Sequence, residues 1–285
     1  MVLRTRTWRS SLRLLDDRDR DDVIGLCDRD PVVNVFVSSR VREAGLDPAR
    51  LGGQVWGYGA GGQLTSLCYV GANLVPVAAT SSAITAFASR ARLIGRRCSS
   101  IVGLAPSVID LWEHLRAGWG PAREVRACQP VMAICGPPQV APDPQVRRVR
   151  RDELGILLPA SVAMFTEEVG ISPLGADGGS AYRARVNELI SLGRAFARIE
   201  DGRVVFKAEI GSITPHVCQV QGVWVRPELR GRGLAEAGMA AVVAEALRSV
   251  APVVSLYVND YNLPARAAYR RVGFAETATF ASVLF

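Results

Sequence analysis

Arg230-Gly231-Arg232-Gly233-Leu234-Ala235 is the stretch whose reading decides the fold of this chain. It follows an alternating apolar segment, CQVQGVWV (218–225), and opens a run in which Leu234, Ala237, Ala241, Val242 and Ala244 recur at helical spacing through about Arg248. The alternation predicts a strand, which Arg226-Pro227 ends because proline removes a ladder donor, and the later spacing predicts a helix. Two glycines at the helix entrance leave consecutive backbone N–H groups clear of side chains. At that end the macrodipole and the unpaired donors favour an anion such as a pyrophosphate.

Other phosphate motifs fit less well. A Rossmann fingerprint needs a small residue three positions after Gly233, where the chain has Glu236, and no suitable acid closes the following strand. A Walker loop needs Gly-Lys-Ser/Thr, and the only lysine is Lys207. From this segment alone, a plain strand-turn-helix with glycines for turning stays open. Downstream, VVSLYV (253–258) predicts a second strand, Asn262 before Leu263-Pro264 opens a second helix, and Gly273 stops it ahead of Phe274.

The order strand, Arg-x-x-Gly-x-Ala, helix, strand, Asn-x-x-Asn, helix with tyrosine, Gly-Phe resembles the acyl-CoA-binding half of the GNAT N-acetyltransferases over about residues 218–285. The resemblance implies coenzyme A or acetyl-CoA as cofactor, its pyrophosphate cradled by the backbone of Arg230, Gly231, Arg232, Gly233, Leu234 and Ala235. It implies that Val223 and Val225, on either side of Trp224, offer main-chain groups to the pantetheine arm like an added strand. It implies that Asn262 steadies the cofactor and that Tyr269 protonates the departing thiolate, a phenol of pKa about 10 serving a thiol of about 8.5.

The base is less apparent. Many relatives place a glutamate eleven residues ahead of the first arginine of the loop, but here that position is Gln219, which cannot take a proton. The remaining candidates are Glu168, Glu209, Glu167 and His216, or a water relay. The Gly-, Ser- and Pro-rich connection 170–182 resembles a segment that helps wall the acceptor site in this family, and a plain flexible link stays open beside that reading. Glu167, Glu168 and Asp177 would make the connection acidic, which suits a cationic amine.

A chain of 285 residues, 49% apolar and 21% charged, can bury two cores and is not a disordered composition. No cationic stretch followed by an apolar core opens it, and the most apolar segment, 74–88, is broken by Thr80, Ser81, Ser82 and Thr85. A cytoplasmic protein without a membrane partner is expected. The six cysteines form no Cys-x-x-Cys pair and are expected as scattered buried thiols. With only His114 and His216 available, no metal site is expected.

The whole net charge of +7 lies in residues 1–150, which hold 20 arginines against 13 acidic residues. Arg18, Arg20 and Arg29 alternate there with aspartates, a pattern that reads as a solvated face rather than a nucleic-acid surface. Gly136-Pro137-Pro138, Pro142 and Pro144 mark a boundary, giving an N-terminal domain at 1–136, a Pro-rich linker at 137–145 and a catalytic domain at 146–285. The domains read as repeats, with hairpins expected over 54–70 and 194–210 and the same element order after each. Where the second copy has its glycine loop, the first has Ala78-Ala79-Thr80-Ser81-Ser82-Ala83, with no glycine to admit a pyrophosphate.

The reading is therefore an α/β protein with a mixed sheet, a tandem GNAT acyl-CoA N-acyltransferase fold of two similar domains whose N-terminal copy is degenerate. It resembles the tandem acetyltransferases of actinobacteria. The expected activity is acetyl-CoA-dependent N-acetylation of a primary amine on a small molecule or protein. Two alternatives stay open: a non-catalytic acyl-CoA sensor whose N-terminal half binds a partner, and an acyltransferase using aminoacyl-tRNA.

Overall fold

A computed structural model describes residues 11–60, 62–175 and 178–285. The first part of the chain forms β1 (Ser11–Leu14), α1 (Arg20–Cys27), α2 (Val35–Ala44), α3 (Pro48–Leu51), β2 (Gln54–Ala60), β3 (Gln63–Val70), β4 (Asn73–Val77), α4 (Ser81–Ile94), β5 (Ser100–Leu104), α5 (Ala105–Trp119) and β6 (Glu124–Ile134). The remainder forms β7 (Arg147–Arg148), α6 (Leu154–Val169), α7 (Ser180–Ser191), β8 (Ala195–Glu200), β9 (Arg203–Ile213), β10 (Cys218–Val225), α8 (Leu234–Ser249), β11 (Val254–Tyr257), α9 (Leu263–Val272) and β12 (Ala275–Leu284). Local chemistry sets several of these boundaries. Asp47 accepts from Ala49 N and Arg50 N ahead of Pro48 to start α3, and Asn262 accepts from Ala265 N to start α9.

Contacts divide the chain into two compact units, one running to Val131 and including Thr277–Phe285, the other Met132–Glu276. This course differs from the linear one read off the prolines. In the first unit, Phe280–Leu284 of β12 pairs antiparallel with Leu104–Ser100 of β5. On its other side β12 neighbours β6, where Ser282 Oγ donates to Gln129 Oε1 at 2.7 Å and Arg123 N to Leu284 O at 2.8 Å. Ala281 and Val283 are fully buried in this unit's core, so the end of the chain completes the first unit's sheet, in the order β1-β2-β3-β4-β5-β12-β6. The proline stretch expected as a linker packs into the second unit: Gln139 N donates to Val272 O and Asp143 N to Ala237 O, both at 2.9 Å.

The second unit's sheet begins with the last residues of β6 and continues β11-β10-β9-β8-β7. Strand alternation gives it two apolar faces. Phe196, Phe206, Ala208, Ile210, Cys218 and Val220 join α8 and α9 on one face. Ala195, Ala197, Val204 and Trp224 join α6 and α7 on the other. Four thiols are buried, and burial pushes Cys27 and Cys218 up to about 12, whereas Cys128 and Cys135 are exposed, against the expectation for those two. Among the described residues no helix is long and apolar enough to cross a membrane.

Candidate active site

Strand β10 leaves its neighbour β11 early. The two pair in parallel only at Cys218 with Val254 and Gln219 with Ser255 among the described residues. Beyond that point β10 is bulged. Gln221 faces Glu209 and Trp224 faces Lys207, three steps on β10 against two on β9. The extra residue reverses the alternation: Val220 faces α8 and α9 before the bulge, Val223 and Val225 pack there after it, and Trp224 turns to α6 and α7. Gly222 makes this possible. Its φ of +60° suits glycine, and a β-carbon would meet Glu209 Cδ at 2.9 Å. Among the described residues the edge of β10 carrying Val223, Trp224 and Val225 thus has no strand paired on its β11 side, an opening that an extended chain with amides can enter.

The glycine loop lies at the end of that opening. Gly231 and Gly233 have φ of +76° and +79°, and a β-carbon at either would point into open space. Gly233 is the N-cap of α8 and supplies no side-chain acceptor, so the first N–H groups of Leu234 and Ala235 have no cap of that kind. Glu236, the acid in this first turn, is held by Arg271 Nη2 at 2.5 Å, and that bond lowers its pKa. These features fit a pyrophosphate: donors without a cap, no side chain in the way, and the nearby carboxylate compensated.

The corresponding place in the first unit is filled by the chain itself. Thr80 caps α4, its Oγ1 accepting from Ala83 N at 3.3 Å. Ser66 Oγ accepts from Thr80 N and donates to Ala78 O. Among the described residues β4 and β5 also pair in parallel only at Asn73 with Ser100 and Leu74 with Ile101, but Pro76, which has no N–H, approaches Gly103 there closely enough that a β-carbon on Gly103 would lie 3.4 Å from Pro76 O.

Two consecutive glutamates at the end of α6 reach both sides of the opening in the second unit. Glu167 accepts from Trp224 Nε1 of β10 at 3.1 Å and from Arg230 Nη2 of the loop at 2.6 Å. Glu168 accepts from Asn259 Nδ2, just past β11, at 3.1 Å. Tyr269 of α9 is buried against Phe274, and burial, reinforced by the charge of Glu168, pushes its phenol above the ordinary range.

Glu209 belongs to the α6–α7 face. Lys207 Nζ donates to Glu209 Oε2 at 3.1 Å and to Gly222 O at 3.0 Å, and Gln221 Nε2 donates to Glu209 Oε1 at 3.1 Å. Tyr182, whose hydroxyl donates to Ser161 O, has its pKa raised by burial and by the charge of Glu209. Tyr269 and Glu209 therefore lie on opposite faces of the sheet.

Other expected residues lie apart or serve structure. His216 is exposed in the turn before β10, roughly 20 Å from Gly222 at the rise of an extended strand. Gln219 is buried where β10 still pairs with β11. Asn262 Oδ1 caps α9. Asp177 lies outside the described residues. Sequence reasoning missed Gln221 and Gly222, and gave no role to Asn259, the first residue of the Asn-x-x-Asn motif, or to Lys207. A lone glycine within a strand pattern is a bulge signal, so Gly222 was open to detection. A separate groove of about 570 Å³, lined by Phe196, Ala241, Arg147, Arg148 and Arg248 among others, contains none of the motif residues. Its three arginines are already paired with Glu153 or Glu245.

Residues 175–274 match the family model described as Acetyltransferase (GNAT) family, and residues 53–157 match one described as Domain of unknown function (DUF4081). A GCN5-related N-acetyltransferase from Sphaerobacter thermophilus is similar in fold, with 19% identity, a TM-score of 0.58 and coverage of 96% of this chain and 95% of that one. A tandem GNAT protein from the clavulanic acid biosynthesis pathway is similar at 14% identity and a TM-score of 0.56, covering 96% and 98% of the two chains. A GNAT-family acetyltransferase from Colwellia psychrerythraea aligns over 96% and 99%, at 12% identity and a TM-score of 0.55. No functionally curated protein matches the sequence. The chain has the tandem GNAT fold, and its second unit carries a GNAT-family domain.

Proposed function

We propose, from the premise that residues 175–274 form a GNAT-family domain, that this protein is an acetyl-CoA-dependent N-acetyltransferase acting on a primary amine of a small molecule or protein. The observation that carries the reading is the glycine-bounded N-terminus of α8, without a side-chain cap, next to the bulged edge of β10 that β11 leaves unpaired. When bound, acetyl-CoA supplies an activated acetyl group as a thioester. The amides of Gly231 to Ala235 would hold its pyrophosphate, main-chain groups of Val223 and Val225 would align its pantetheine arm, and Asn262, the N-cap of α9, would steady it. The buried Tyr269 phenol keeps its proton at neutral pH and donates it to the leaving thiolate. Glu168 or Glu209 receives the proton that the attacking amine loses, directly or through water, and the carboxylates at the end of α6 favour a cationic acceptor. The cytoplasm, where acetyl-CoA is available, is the proposed location.

Thiol release from acetyl-CoA, followed across a panel of primary amines and amine-bearing peptides, tests this. Amine-dependent release with formation of the acetylated product supports it, whereas tight CoA binding without release for any amine contradicts it. That second outcome would favour an acyl-CoA sensor. One observation points that way: Glu209 already accepts from both Lys207 and Gln221.

A further inference from the structure

The guanidinium of Arg230 is held at two points of the second unit, and the carboxylate at one of them is itself anchored. Its Nη2 donates to Glu167 Oε2 at 2.6 Å, its Nε to Val225 O at 3.0 Å, and the other oxygen of Glu167 is fixed by Trp224 Nε1 at 3.1 Å. Arg230 immediately precedes Gly231, so its charge lies beside the loop whose amides form the proposed pyrophosphate site. The other charges there are differently placed: Arg232 is exposed and donates to the carbonyl of Glu228, and Glu236 is paired with Arg271. Glu167 is thus the carboxylate paired with the arginine that opens the loop. Arg230 itself also donates to Val225 O, a carbonyl on the edge of β10 that the pantetheine arm would follow.

We infer that Arg230 is a phosphate-binding side chain masked by Glu167, and that the cofactor's pyrophosphate exchanges with Glu167 for the guanidinium on binding. The inference rests on the assignment of the CoA site made above. Its physical basis is competition between two anions for one fork of donors. Arginine binds carboxylate and phosphate with the same geometry, and a doubly charged pyrophosphate outweighs a single carboxylate. The pair is about half exposed on both sides, with side-chain exposures of 49% and 45%, so its loss costs the fold little. Glu167 therefore lowers cofactor affinity, and removing its charge raises it. The amide of Glu167→Gln still accepts from Trp224 Nε1, so the end of α6 keeps that anchor.

The test is calorimetric titration of coenzyme A into the full chain as wild type, Glu167→Gln, Arg230→Gln and the double variant, at low and at high salt. The expected result is binding by the wild type and a dissociation constant about five- to tenfold lower for Glu167→Gln at low salt, as removal of one charge a few ångströms from a dianion predicts. The gain should shrink strongly near 1 M salt, where the Debye length is about 3 Å. In the Arg230→Gln background, Glu167→Gln should gain at most a small part of that factor. Equal or weaker binding by Glu167→Gln overturns the exchange, and so does a full gain without Arg230, which would assign the effect to general charge. A wild type that does not bind coenzyme A overturns the site assignment itself, an outcome separate from the first two.

Discussion

Lys207 Nζ lies 3.1 Å from Glu209 Oε2, with both side chains buried on the α6–α7 face and the bulge carbonyl of Gly222 accepting from the same ammonium. A buried pair of this kind is costly to break from one side, because the partner left behind is a charge without compensation. Lys207→Met should destabilise the protein by about 3–5 kcal/mol. Combining it with Glu209→Gln should recover part of that loss. Urea denaturation of the two single variants and the double variant measures the coupling. Strictly additive effects would show that the two groups do not act as a pair.

Tyr269→Phe should lower kcat by about a hundredfold while leaving the KM for acetyl-CoA within a few-fold, since the ring is kept and only the proton donor is lost. Burial raises the pKa of this phenol, so its protonated form persists as pH rises. The kcat profile of the wild type should accordingly show no fall due to this group below about pH 10. Steady-state kinetics with an identified amine checks both points. An unchanged kcat in the phenylalanine variant would assign Tyr269 to packing against Phe274.

Glu153 sets an acid limit on the second unit. It accepts from Arg147 Nη1 and Nη2 and from Arg150 N, and these bonds, the arginine foremost, lower its pKa to about 2. A carboxyl whose folded pKa is depressed contributes stability that is fully present above its unfolded value near 4.5 and is lost as pH falls towards about 2. The contribution at neutral pH is on the order of 1–2 kcal/mol by linkage once solvent screening at the half-exposed arginine is allowed for. In Glu153→Gln the decline of stability between about pH 4.5 and about pH 2 should be shallower than in the wild type. Chemical denaturation at a series of acid pH values measures it, and parallel acid limbs would contradict the assignment.

The parts of the site that could be read from the chain were those fixed by local backbone chemistry. A helix that begins after Gly233, a strand ended by Pro227 and a helix opened by Asn262 and Pro264 need only near neighbours to specify them, and α8, β10 and α9 lie where those residues put them. Long-range pairing was not legible. Nothing in the periodicity of 275–284 distinguishes a strand beside β11 from one beside β5, and the proline stretch 137–145 gave no sign that its amides would find Val272 and Ala237. Side-chain convergence was equally hidden: Glu167 meets Arg230 across 63 positions, and Glu168 meets Asn259 across 91. The role of Gly222 falls between, because its place in a strand signalled a bulge while Lys207 and Glu209, which pack against it, could come only from the register of β9.

The central claim, that one acyl-CoA binds per chain at the glycine loop of the second unit, is tested most directly by the stoichiometry of coenzyme A binding to the full chain and to Gly233→Val. The full chain is the proper material, since a fragment ending near residue 136 would lack β12, which completes the first unit's sheet. Thr80 caps α4 in the first unit, whereas Gly233 leaves the start of α8 without a side-chain cap at a φ of +79° that valine does not readily adopt. The account predicts one equivalent bound by the wild type and a loss of about a hundredfold or more in affinity for a folded Gly233→Val protein, as donors are displaced or screened from the pyrophosphate. Two equivalents per chain, or wild-type affinity in a folded Gly233→Val protein, would contradict it.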